Sequence, residues 1–317
     1  MRILVIGGSS FVGRAIVAAA LDRGHDVTLF NRGKTDPGAF PQAEHLVGDR
    51  NGDLSALDDR SWDATVDVCA YVPGQVRHLL NSLGDAAGHY TFISTISVYG
   101  QDVVETGFDE SAGLLEPAWD DELTMEKYGE LKVACEQVAA ELAGDRLLVI
   151  RPGYVIGPHD PTHRFTYWVE RVAEGRSPMA GPDEAQPLQA VDARDLAAFV
   201  VSQVEARTVD AFHVTAPEPA PTFGEVLTTI ASALDVPLPE VRWVGAQESL
   251  PLTAPPDWWP KMRASLAKAR AAGFTWRPLA ETVRDTYDWV SKARADNAYT
   301  PRPGVGPSPE AESELLG

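Results

Sequence analysis

The chain of 317 residues is poor in several things at once. It has 2 cysteines, Cys69 and Cys135, with neither a CxxC spacing nor a Cys/His cluster of zinc-like spacing. That excludes a disulfide framework and a structural zinc site, predicts no metal, and points to a reducing, cytoplasmic setting. Basic residues are scarce, with 27 Lys and Arg against 46 Asp and Glu, a net charge of −19. Such a balance repels phosphates, so neither a nucleic acid nor an anionic membrane is an expected partner. No uncharged run is long enough to cross a bilayer. The apolar opening MRILVIGG is too short for a signal peptide or a span and ends in glycines. No internal repeat is evident.

What is present is alternation. Runs at 2–7, 26–30, 44–48, 64–70, 90–95 and 146–151 are nearly continuous in Val, Ile and Leu, the pattern of strands buried on both faces. Amphipathic stretches such as FVGRAIVAAALDRG (11–24), closing on a glycine suited to a C-cap, lie between several of them. Strands separated by crossover helices predict an α/β fold: a Rossmann-type doubly wound parallel sheet with a smaller C-terminal substrate-binding domain. After Arg151 the pattern turns irregular and proline-rich. Helix signals recur at 163–175, 192–206, 222–235, 261–272 and 279–292, with one strand candidate at 211–215. The expected division is a dinucleotide-binding domain of 1–157 plus about 188–215 and a substrate-binding domain of about 158–187 and 216–295. A flexible acidic, Pro-rich tail is expected over 296–317, within which PEAESELLG has a helical pattern.

The stretch IGGSSFVG (6–13) follows the first strand and opens the first helix, the context in which a glycine-rich turn holds a pyrophosphate at a helix N-terminus. Gly7, Gly8, Ser10, Phe11, Val12 and Gly13 are its candidate cofactor-binding residues. Ser10 stands where a third close-approach glycine is expected and is tolerated if its φ is negative. The second strand ends in LFNRGK, without the acid that selects NAD. Asn31 can bond a ribose hydroxyl and Arg32 offers a fork for a 2′-phosphate, so NADP(H) is favoured, with NAD(H) possible. Asp49 and Arg50 in GDRNGD, with Ala70 at the end of the fourth strand, complete the cofactor set; Asp49 either meets the adenine edge or forms a turn.

In EKYGELKVACEQ (126–137), Tyr128 and Lys132 stand at i and i+4 and share one helix face. A phenol with pKa near ~10 needs help to act as a base at neutral pH. A neighbouring ammonium and a positive nicotinamide favour its phenolate, and Lys132 can also hold the nicotinamide ribose. Thr95, in FISTISVYG, ends a strand at the same sheet edge and can hydrogen-bond the reacting oxygen.

Taken in order, GGSSFVG, GDRNGD, STISVYG, YGELK and RPGYVIGP followed by AVDARDLA resemble the landmarks of the extended short-chain dehydrogenase/reductase superfamily, the NAD-dependent epimerase/dehydratase group. The likeness covers about residues 1–215. It implies that Thr95, Tyr128 and Lys132 take the family's Ser/Thr–Tyr–Lys roles, with Tyr128 and Lys132 also touching the cofactor. It implies too that a homodimer can form through the helices flanking the active site. Departures narrow the chemistry. Ile96 and Ser97 stand where the family's sugar dehydratases carry Asp-Glu, so 4,6-dehydration is not expected. Tyr154 replaces a substrate-binding Asn, and Leu188 stands near a diphosphate-binding Arg, which weighs against a sugar nucleotide.

Tyr154, His159, His163, Arg164, Tyr167 and Trp168 are the candidate substrate-binding residues, a pocket for a polar or aromatic small molecule. Phe165, Trp168 and Val169 have helical spacing that equally fits a core. Trp258 and Trp259 fit a lid or a plug. The leading expectation is an NAD(P)(H)-dependent oxidoreductase interconverting a carbonyl and a secondary alcohol. The alternatives are a sugar or sugar-nucleotide epimerase with tightly bound NAD(+), and a non-catalytic NADP(H)-binding regulator akin to the family's chloroplast RNA-binding relatives.

Overall fold

A computed structural model describes the chain apart from residues 101, 102, 104, 121 and 301. Its first half alternates as follows: β1 (Arg2–Ile6), α1 (Phe11–Asp22), β2 (Asp26–Asn31), β3 (Glu44–Val47), β4 (Ala64–Asp67), α2 (Pro73–Leu83), β5 (His89–Ile93), α3 (Tyr128–Ala143) and β6 (Leu147–Pro152). The second half adds β7 (Tyr154–Ile156), α4 (Arg164–Ala173), β8 (Met179–Gly181), β9 (Ala190–Asp192), α5 (Ala193–Ala206) and β10 (Asp210–Val214). It closes with α6 (Phe223–Leu234), β11 (Val241–Trp243), α7 (Ala267–Ala271), α8 (Leu279–Ala295) and α9 (Pro309–Leu316).

Seven strands form one all-parallel sheet in the order β10-β6-β5-β4-β1-β2-β3. Succession runs one way from β1 through β2 to β3 and the other way from β4 to β10. The reversal lies between β1 and β4, and in such sheets the crevice beyond the strand ends at that point is the ligand site. Both faces are covered, because each helix presents one apolar stripe. On α1 it is Gly13, Ile16, Val17 and Ala20, which with α5 covers one face. On α3, Cys135, Val138 and Ala139 join α2 over the other face. The apolar side of α3 is thereby buried within the chain.

The second region packs α4, α6 and α8 around Trp168, Phe165, Phe223 and Ile230. The helix expected at 261–272 is shorter. Gln189 donates to the Ala264 carbonyl (3.0 Å) and accepts from its N–H (2.9 Å), holding Ala264 extended, so α7 begins only at Ala267. The segment expected to be a flexible tail, 296–317, carries regular structure only near its end. Its last turns form α9, which buries Glu312 (2% exposed) against two arginines. The Arg171 Nε donates to both Glu312 oxygens at 3.0 and 3.1 Å, Arg176 adds a bond of 3.0 Å, and the Ala180 N–H another of 3.1 Å. Among the described residues no helix is long and apolar enough to cross a membrane, and no cluster of His, Cys, Asp or Glu has metal-binding form.

Candidate active site

The turn after β1 is built from conformations only glycine adopts cheaply. Gly7 has φ +106° and Gly8 +86°, and a Cβ on Gly8 would lie 2.3 Å from Leu29. A Cβ on Gly13 would fall 2.6 Å from the Gly8 nitrogen, so its absence sets how closely α1 approaches the turn. Ser10 has φ −135°, which its side chain tolerates, and leads into α1. Phe11 is held at φ 39° as the helix starts, a conformation costing of order 1 kcal/mol for a non-glycine residue. The first N–H groups of α1 therefore face the crevice with the positive end of the helix dipole behind them.

Around this turn the candidates divide. The Asn31 side chain is occupied by the backbone, donating to the Gly7 carbonyl at 3.2 Å and accepting from the Gly33 N–H at 2.8 Å. Arg32 is exposed, and Asp49 accepts from the Asn51 N–H at 3.0 Å, the turn-forming role. Arg50 lies beneath the crevice. Its guanidinium grips Asp67 through bonds of 2.6 and 2.9 Å, and Tyr90 donates to the same carboxylate at 2.8 Å. Arg50 thus serves as a buried brace, its charge held by the fully buried Asp67. The Ala70 carbonyl accepts from Lys132.

Lys132 is 2% exposed and donates to the carbonyls of Ala70 (2.9 Å) and Ile93 (2.7 Å), with its ammonium 4.3 Å from the Phe92 ring centre. Burial pushes its pKa down to about 8. One turn earlier, burial pushes Tyr128 up to about 12, opposed by a hydrogen bond with Thr95 and by the charge of Arg164. The expectation for this phenol joined the Lys132 ammonium to a positive nicotinamide; on the protein's own groups the phenol is protonated at pH 7, and Arg164 is a cation that lowers its pKa. Thr95 is 7% exposed and accepts from the Ser97 N–H at 3.1 Å, which fixes its hydroxyl at the strand end.

Behind the three residues runs a polar chain that the sequence reading missed. The Ser94 hydroxyl donates to Glu136 at 2.5 Å, and Arg151 pairs with both Glu136 oxygens at 3.0 and 2.6 Å. Arg151 also donates to the Tyr99 oxygen at 2.6 Å, and Tyr99 lies 2.7 Å from His213 Nε2. His213 Nδ1 faces the Ser265 carbonyl, so the proton sits there and Tyr99 donates to Nε2; burial holds the imidazole neutral with a pKa of about 4. The signal was available: Glu136 follows Tyr128 and Lys132 at the same four-residue interval.

Of the substrate candidates, the structure brings Tyr154 and Arg164 to the catalytic side and takes others away. Trp168 is 1% exposed, donates to the Pro251 carbonyl at 2.9 Å and stacks edge-on against Phe223. Tyr167 packs on Trp168 and under Gly306. His163 is buried beside Glu170 (3.4 Å) and Tyr299. These three belong to the second core, because α4 turns that face inward. His159 stacks with Trp289 and senses Arg14 and Asp36, which places it at the border of the two regions. Trp258 is 41% exposed, with the Lys261 ammonium 4.4 Å from its ring centre, and the Trp259 indole N–H donates to the Ala254 carbonyl at 3.1 Å.

The model of a family described as NAD dependent epimerase/dehydratase matches residues 3–214. A 3 beta-hydroxysteroid dehydrogenase/Delta 5-->4-isomerase of Mycobacterium tuberculosis is 31% identical over 198 residues, 55% of this chain; the match spans about half (52%) of the relative. A 3-diazoavenalumate denitrifying reductase of a Streptomyces species is 26% identical over 322 residues, 90% of this chain and 98% of the relative. Among solved structures, the Bordetella bronchiseptica enzyme WbmH in complex with NAD+ has a TM-score of 0.70 at 18% identity, covering 92% of this chain and 98% of that one. Further structures of the same fold are likewise complexes with NAD. They overturn the expectation of NADP(H). In the structure the Asn31 side chain is tied to the turn, and the exposed Arg32 has no hydrogen bond or ion pair among the described residues to orient it as a 2′-phosphate clamp.

Proposed function

The chain belongs to the NAD dependent epimerase/dehydratase family, and from that premise we propose that it is an NAD-dependent oxidoreductase of epimerase type. It withdraws a hydride from a secondary alcohol of a small polar substrate and returns it to the same carbon. One observation carries this reading: Thr95, Tyr128 and Lys132 meet at the ends of β4 and β5, beside the glycine turn. The turn fits a dinucleotide, since the positive φ of Gly7 and Gly8 and the close approach of α1 at Gly13 bring the helix N-terminus to the strand end, where a pyrophosphate would sit. Bound there, NAD supplies the hydride acceptor and donor.

The chain's own residues handle the proton. Tyr128 takes it from the substrate hydroxyl and later returns it. With a pKa of about 12 it is protonated at neutral pH and holds no base; a positive charge beside it lowers that pKa and supplies the phenolate that accepts the substrate proton. Thr95 positions the reacting oxygen. Lys132 has two of its three N–H groups on carbonyls, leaving the third for a ribose hydroxyl. With Ile96 and Ser97 following Thr95, no carboxylate stands there to remove water.

A second reading, a carbonyl reductase with exchangeable NADH, is favoured by the near full-length likeness to the Streptomyces reductase and by Leu188, buried at 2% exposure. Denaturing the purified protein and weighing what it releases separates the two. Stoichiometric NAD+ is expected. A protein that arrives empty yet consumes NADH with a carbonyl compound replaces the epimerase cycle with a reductase.

A further inference from the structure

Two cations flank the catalytic tyrosine, and they differ in what they have left to offer. Lys132 is committed to two carbonyls. Arg164, at the start of α4, is half-buried; its Nε donates to the Thr162 hydroxyl at 3.1 Å, and its guanidinium carbon lies 5.3 Å from the Tyr154 ring centre. Among the described residues its other guanidinium N–H groups have no hydrogen-bond or ion-pair partner. The nearby acid Asp160 is buried and turned to Thr162, accepting its N–H (2.8 Å) and hydroxyl (2.7 Å) without pairing to the arginine. Arg14, the cation across the border, is bound to Asp36 at 2.7 Å.

The site therefore presents a guanidinium fork unpaired among the described residues, lying over an aromatic ring, with its charge felt at the Tyr128 hydroxyl. A planar fork of two N–H groups matches the two oxygens of a carboxylate. A diphosphate needs more positive charge than one guanidinium beside a buried acid supplies, and Leu188 offers none. We propose that Arg164 is the specificity-determining residue of this site and selects substrates bearing a carboxylate close to the reacting alcohol or ketone, a hydroxy acid and its oxo acid. The assignment rests on the oxidoreductase reading above.

The test uses NAD-loaded protein titrated calorimetrically with benzoate and 3-hydroxybutyrate, each against its uncharged amide, and with UDP. The carboxylates are expected to bind about 10- to 100-fold more tightly than the amides, the range for a charged hydrogen-bonded pair. Arg164→Gln abolishes that preference, and Arg164→Lys keeps part of it, retaining charge without the fork. NAD affinity stays unchanged in both variants. Equal binding of acid and amide by the unmodified protein, no binding of either acid, an unaltered preference in Arg164→Gln, or UDP binding more tightly than both acids overturns the proposal. If Arg164→Gln does not fold, the unmodified protein and Arg164→Lys still decide. A protein that takes no NAD at all sinks the oxidoreductase reading instead, so the two failures are distinguishable.

Discussion

The seven-stranded sheet and the second region are held together by different means. In the sheet, each strand is a short apolar run and each covering helix a single stripe, so burial of Ile3, Val5, Ile16 and Val17 follows from periodicity alone. The second region is gathered from separated stretches and pinned by buried polar groups. Gln186, fully buried, donates to the Leu252 carbonyl at 2.8 Å and accepts from the Ala254 N–H at 2.9 Å. Gln189 does the same at Ala264, and Arg171 with Glu312 spans 141 residues. A buried amide or ion pair is costly to break, since the abandoned partner keeps its desolvation penalty. The sheet's apolar layers tolerate apolar exchange, its buried ion pairs Arg50–Asp67 and Arg151–Glu136 being confined to the crevice side; the second region depends on a few named atoms throughout.

Substitutions can separate the two. Tyr128→Phe touches neither packing scheme and is expected to lower turnover by about 10²- to 10⁴-fold, the usual worth of a positioned acid–base group. Its thermal midpoint should match the unmodified protein; an unchanged rate would remove Tyr128 from the chemistry. Glu312→Ala strikes the second region alone. Arg171, 2% exposed, then keeps a buried charge without a counterion, at a cost of about 3–5 kcal/mol. Limited proteolysis should open the second region first while NAD affinity holds, whereas NAD affinity falling in step would show that the regions are not independent. The smallest effect concerns His213. Its folded pKa of about 4 lies below its ordinary value near ~6.5, so the unfolded chain binds the proton first. That contribution is complete above pH ~6.5 and is lost as pH falls toward 4. His213→Gln should flatten this part of the denaturation midpoint's pH dependence, and an identical slope would assign it to other groups.

The same contrast explains what could be read from sequence. The glycine turn and the Tyr128–Lys132 pair are local patterns, visible at spacings of a few residues. Thr95 followed because a strand end fixes its place. His163 and Arg164 are neighbours that point opposite ways, one into the second core and one to the catalytic side, and no spacing rule distinguishes them. Arg32 misled because an exposed loop residue carries no sign of its direction. The docking of α9 was equally hidden, since an acidic, proline-rich segment looks solvated until its partner arginines are known.

That last contact also orders events in time. Residues leave the ribosome in sequence, and the sheet can close once β10 has emerged to pair with β6. Arg171 must wait 141 residues for Glu312, about 7 to 30 s at ordinary rates of synthesis. From the emergence of β10 until that of Glu312, a nascent chain carries a completed nucleotide crevice beside an unlatched second region, and it is there that a chaperone or protease would find its handhold.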